Sequence, residues 1–198
     1  MSLSKIRNTT VSLSTLKTEN QINADIKSVL ENALMYCGIR DWSVMQSNPP
    51  QMQGLIDKVV RFLVVSVNRD GWQGNNERVE EISGGTSSVI HREKFREIRR
   101  VQIDFFRKRL IVDNELTITA DDVARKVLTY LDGSAGIQAL REKGYNKLRT
   151  DSIRIGYGLN DSDLYQMTPG FDLMLIYDQA EDTLIGDAYF DGFKAYPV

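Results

Sequence analysis

The sequence predicts an α+β fold: a mostly antiparallel sheet with helices packed on one face, plus a long β-hairpin and a flexible N-terminal arm. Three observations carry that expectation. Between residues 96 and 109, Val101, Ile103 and Phe105 alternate with Arg100, Gln102 and Asp104, the period-two pattern of a strand with one buried and one wet face. From residue 21 onward, Ile22, Ile26, Val29, Leu30, Ala33 and Leu34 fall on one helical face. The segments then follow in the order helix, strands, helices, strands, which points to helices gathered on one side of a sheet.

Taken in order, residues 1–20 are rich in Ser, Thr and Asn and carry few large side chains (Ile6, Val11, Leu13, Leu16). They hold too little apolar surface to offset the entropy of ordering, so they read as a flexible arm, or as one that orders only against a neighbour. Residues 21–198 read as a single domain, with 178–198 as a C-terminal hairpin extension. Gly38 is placed to end the first helix as a left-handed cap. A short strand follows at residues 42–46, then a turn-rich stretch around Asn48, Pro49 and Pro50. Residues 59–67 are apolar on both faces, which predicts a central strand covered on both sides. Residues 71–76 and 84–88 read as turn-rich flanks of 79–82, within a long hairpin arm. Thr119 followed by Asp122 has the spacing of a helix-start box, with Asp in place of the usual Glu. Val123, Val127, Leu128 and Leu131 form the inward face of that helix. A shorter helix is expected over 134–143, separated by Gly133 and Gly136 and closed by Gly144. Strands are expected at 149–157 and at 170–177, where Phe171, Leu173, Leu175 and Tyr177 alternate, and a final hairpin over 183–196.

A chain of 198 residues is long enough for a proper core. Its 41% hydrophobic and 26% charged composition is that of an ordinary soluble protein, and the net charge of −2 argues against bulk nucleic-acid binding. No apolar run approaches the roughly 18 residues of a membrane span, and residues 1–10 hold no apolar signal core. Cys37 is the only cysteine, which rules out an intramolecular disulfide and fits synthesis in a reducing cytoplasm.

Catalytic chemistry has little to work with. One His and one Cys leave carboxylates as the main metal ligands, and the adjacent pairs Asp121-Asp122 and Glu80-Glu81 diverge. Asp161 and Asp163 fall on one face of a short loop, where carboxylates are mostly solvated. Cys37 and His91 lack a third, orienting group. The stretch G-G-T-S-S is not a nucleophile elbow, and G-W-Q-G-N-N-E lacks the ending of a phosphate loop. The expectation is no enzyme, no metal and no cofactor; an enzyme built on Asp121 and Asp161 is the least favoured reading.

Charge asymmetry is the stronger signal. Residues 91–109 carry eight Lys and Arg against three acids, whereas 151–198 carry nine acids against Arg154 and Lys194. Such a split suits head-to-tail association, in which one copy's basic patch meets the next copy's acidic one. Arg99, Arg100, Arg107, Lys108 and Arg109 are then the basic contact candidates, with Asp161 and Asp163 as acidic ones. Equally, the two segments could pair across strands within one sheet and need no partner. The alternative function is a nucleic-acid-binding adaptor using the basic strand 91–109.

Three segments together resemble a known family. V-M-Q-S-N-P-P-Q (44–51) follows the first helix and precedes an apolar strand; V-Q-I-D-F-F (101–106) is followed, after a turn, by D-D-V-A-R-K-V-L (121–128). D-S-D-L-Y-Q-M-T-P-G-F-D-L-M-L-I-Y (161–177) then closes the sheet. Their order and wording resemble the neck or tail-terminator proteins of tailed bacteriophages, also called gateway or tail-completion proteins, over residues 21–177. The resemblance implies a structural virion protein of the neck. It implies a homo-oligomeric ring, a hexamer, that caps the head-proximal end of the tail tube, ends tail polymerisation and joins the tail to the head-side connector. Implied partners are the chain itself, the tail tube protein and the connector or collar protein, with the tail sheath as a further candidate. DNA enters only as cargo passing through the ring, and no membrane is involved. The family brings no catalytic residues. This chain departs from it in a longer N-terminus and an added C-terminal hairpin after Tyr177.

Overall fold

The computed structural model describes residues 17–47, 57–83, 86–107, 118–159 and 165–185, with side chains at all of these except 70–83, 86–93, 157–159, 165–167 and 181–185. Its elements are α1 (Glu19–Tyr36), β1 (Ser43–Gln46), β2 (Val59–Ser83), β3 (Thr86–Phe106), α2 (Ala120–Asp132), α3 (Ser134–Glu142), β4 (Asn146–Thr150), β5 (Arg154–Leu159) and β6 (Tyr165–Ile185).

The helix starts are built by side chains. Thr18 accepts from the Gln21 backbone N–H at 3.3 Å while the Gln21 side chain accepts from the Thr18 N–H at 2.8 Å. This reciprocal cap starts α1 at Glu19, so Glu19 and Asn20 belong to the helix rather than to the expected arm; residues 1–16 lie outside the described residues. Gly38, with φ of 73°, turns the chain out of α1 in the left-handed region, and the Ile39 N–H reaches back to the Leu34 carbonyl. Thr119 and Asp122 form the expected box at α2, the Asp122 carboxylate accepting from the Thr119 N–H at 2.9 Å. Gly133 separates α2 from α3 as expected. Gly136 does not; it lies inside α3, where a Cβ would come within 2.7 Å of the Leu131 Cα. Its role is close helix approach.

The sheet order is β1-β2-β3-β6-β4, with β5 also paired to β6. β1 runs parallel to β2, Val44 standing opposite Val60, while β4 and β5 run antiparallel to β6. Only residues 84 and 85 join β2 to β3, too few for a parallel crossover, so that pair is an antiparallel hairpin. As β3 advances from Arg99 to Asp104, its contacts on β6 step back from Tyr177 to Gly170, again antiparallel. One parallel edge strand on an otherwise antiparallel sheet is the α+β architecture expected.

The alternation holds. Val101, Ile103, Phe105, Phe171, Leu173, Leu175 and Tyr177 are all buried, and they share one core with Ile22, Ile26 and Leu30 of α1 and Val123, Val127 and Leu131 of α2. Each such side chain contributes roughly 1.5–3 kcal/mol of hydrophobic stabilisation. The helices thus lie on the face carrying the odd-numbered residues of β3 and β6.

Four further expectations are corrected. Residues 59–67 are not covered on both sides throughout: Val60 and Phe62 face the core, but Val65 and Val67 are 48% and 46% exposed. Residues 71–76 are not a turn; ladder pairing carries them within β2. The stretch 149–157 is two strands, because β4 pairs with β6 around 173–176 and β5 around 165–170, and residues 151–153 bend between them. β6 runs on through Ile185 and absorbs the first residues of the expected final hairpin, whose remainder lies outside the described residues.

The chain divides into two units. One, residues 18–68 and 97–177, holds the helices and the core. The other takes in residues 1–17, 69–96 and 178–198. Within its described part the Lys17 N–H donates to the Gln179 side chain at 3.0 Å, Arg96 pairs with Asp178 at 2.9 Å, and Arg69 lies 4.2 Å over the Phe95 ring.

Candidate interaction surface

The arginines of β3 alternate between two environments. Arg99 points to the helix side, where its buried guanidinium donates to Glu19 at 2.6 Å, to Glu97 at 3.4 Å and to the Tyr177 hydroxyl. The Tyr177 hydroxyl in turn donates to Glu97. Burial, followed by that bond to Glu97, pushes the Tyr177 phenol up to about 12. Nearby, burial and the Asp25 carboxylate push the Tyr145 phenol up as well; its hydroxyl donates to Asp25 at 3.0 Å.

Arg100 points to the opposite face, which carries no helix among the described residues. There Arg100 and Arg154 both donate to Asp172, whose side chain is 1% exposed. Burial raises the Asp172 carboxyl, but the hydrogen bonds and charges of Arg154 and Arg100 outweigh it and hold the group below its usual range. Asp104, on the same face, is pushed up by burial even though Gln102 donates to it at 2.7 Å. Arg61 lies 5.3 Å over the Phe106 ring, adding a third cation.

The sequence-derived contact residues are therefore used unequally. Arg99 and Arg100 are committed to carboxylates of their own chain, the cross-strand pairing that the charge split also allowed. Arg107 donates to the Ile118 carbonyl. Lys108, Arg109, Asp161 and Asp163 lie outside the described residues, as does the His91 side chain. Asp121 pairs with Arg125 one turn along α2 at 2.7 Å. With Arg96, Arg99 and Arg100 each facing an acid, β3 presents less positive charge than its sequence suggests, which weakens the outline of a nucleic-acid strand.

A second surface escaped the sequence reading. The end of α1, the middle of α2 and the start of α3 border an open groove of about 560 Å³. Tyr36 and Tyr130 form its aromatic wall, their rings 5.0 Å apart and tilted by 50°. Met35 and Tyr36 are 63% and 72% exposed. Lys126 lines the same groove and makes no ion pair among the described residues. Gly133, the N-cap of α3, offers no side chain to the first N–H groups of that helix. The Cys37 thiol donates to the Lys126 carbonyl at 3.6 Å, and burial pushes it up, which makes it a poor nucleophile. The signal was present in the sequence: Met35 and Tyr36 are large apolar residues off the inward face of α1. Among the described residues, no three His, Cys, Asp or Glu side chains gather where they could hold a metal ion, and no helix is long and apolar enough to cross a membrane.

An exposed aromatic groove edged by cations outlines a surface for contact with other proteins. Comparison with known families narrows that reading. Residues 21–186 match a family described as E217 gateway protein gp29, and the chain belongs to that family, a structural protein of the phage neck where head and tail are joined. The match starts where the resemblance starts and runs past Tyr177, leaving residues 187–198 beyond it. No curated protein matches the chain.

Proposed function

We propose that copies of this protein close into a hexameric ring at the head-proximal end of the tail tube. The ring ends tube polymerisation and offers its other side to the connector or collar protein, while DNA passes through it as cargo. The observation that carries this reading is the gateway-family match across residues 21–186, which takes in every described strand and all the helices but the first two residues of α1. The physics supports it: a ring needs two different surfaces on each copy that complement one another. Arg107, Lys108 and Arg109 meeting Asp161 and Asp163 of the next copy would supply charge complementarity. Arg99 and Arg100 act one step removed, by fixing β3 against β6. The reading requires no cofactor and no catalytic step, and it places the tail tube protein, and the sheath where one surrounds the tube, next to the ring.

Electron microscopy of particles made without this protein tests it. Overlong, headless tails are the expected result. Tails of normal length that fail to join heads would move the protein up into the connector and overturn the capping role. Normal infectious particles would overturn the neck role altogether.

A further inference from the structure

The geometry points to one occupant for the groove between α1, α2 and α3: we propose that it receives residues 186–198 of a neighbouring copy. This rests on the self-association proposed above but names the contact that carries it.

The groove states its complement chemically. Its wall is the Tyr36–Tyr130 pair, and aromatic rings prefer further rings in offset or edge-on contact. Lys126 and the N–H groups at the start of α3 that no side chain caps bring positive charge to one part of its lining. A segment that alternates aromatic rings with carboxylates fits both. The chain contains one: G-D-A-Y-F-D-G-F-K-A-Y-P-V, with Tyr189, Phe190 and Phe193 set around Asp187 and Asp191. Its acids belong to the excess that follows residue 151. Asp172 and Asp178 of that excess answer arginines within their own chain.

Reach and order agree. Thirteen residues follow Ile185 (198 − 185), a span of up to about 43 Å when extended. All but the first residue of the segment lies beyond the family match. Seating the segment of one copy in the groove of the next is a heterologous contact, the kind that propagates around a ring. Phe190 packs on the tyrosine pair while Asp191 faces Lys126.

Disulfide trapping tests the contact in full-length chains. Both partners carry Cys37→Ser; one also carries Ser134→Cys at the groove and the other Gly192→Cys. Under mild oxidation the mixture should form a covalent pair about tenfold faster than the same mixture with Lys126→Glu in the groove-bearing chain. Adding Asp191→Lys to the other chain should restore the rate. Equal rates with and without Lys126→Glu, no covalent pair, or loss without restoration would each overturn the proposal. So would a chain bearing both new cysteines that closes only on itself. Particles carrying Lys126→Glu that join heads to tails normally would remove the groove contact and leave the ring intact, whereas normal particles without the protein remove the ring.

Discussion

Asp172 holds two guanidinium groups on a side chain that is 1% exposed, and its titration is a statement about stability. Its folded carboxyl lies below its usual range, the attraction of Arg154 and Arg100 exceeding the burial penalty. The stability it contributes is therefore present above the ordinary Asp range and is lost as pH falls through the folded value. Asp172→Asn should lower stability at neutral pH by about 1–3 kcal/mol, since both arginines stay partly hydrated, and should flatten the acid-side decline. Urea unfolding from pH 7 down to pH 3 measures both; parallel acid limbs in the two proteins would show that Asp172 is not the group responsible. The opposite sign holds at Tyr177, whose phenol is raised by burial and by Glu97. Its contribution is complete below the ordinary tyrosine value of about 10 and fades as pH climbs toward about 12. Tyr177→Phe should remove that alkaline loss in the same unfolding series.

Gly170 shows how elements are held at their spacing. A Cβ there would meet the Asp104 side chain and come within 2.7 Å of the Ile103 carbonyl, on the strand next to β6. Gly170→Ala should cost about 1–3 kcal/mol by forcing β3 and β6 apart, read as a lower urea midpoint at unchanged slope. Much at this scale was legible beforehand. The alternation at 101–105 and 171–177 named the core face, and Thr119 with Asp122 named a helix start, because both signals are local. Thr18 with Gln21 was the same kind of signal, obscured by the Ser/Thr-rich stretch before it. The length of β2 was not legible: Gly71 and Asn75 are turn-formers by local preference, and only pairing with β3 overrides them. At the candidate site, the arginines could be named but not their partners, since Glu19, Asp172 and Tyr177 reach them only through the tertiary fold. For the groove, Met35 and Tyr36 off the inward face of α1 were the local signal, but the meeting of α1 with α2 and α3 that shapes it is tertiary.

At the scale of the whole molecule, the near-neutral charge and the internal pairing along β3 bear on the proposal that DNA passes through the ring. A passage should not grip its cargo. The isolated protein should therefore bind duplex DNA weakly, without the steep loss of affinity with added salt that follows release of many counterions. Fluorescence anisotropy between 50 and 200 mM salt measures this, and a fall of about a thousandfold over that range would instead mark a true nucleic-acid binder. The strand order has a different consequence, for the making of the protein. Because β6 lies between β3 and β4, the sheet cannot be finished in the order of synthesis. Until residues 165–185 have left the ribosome, β3 has an open edge and β4 has no neighbour. The last long strand must insert between two that were made before it, a non-local step that slows folding and leaves unfinished chains prone to edge-to-edge pairing. Only chains translated through β6 can then supply competent subunits, so the pool available for neck building is metered by completed translation.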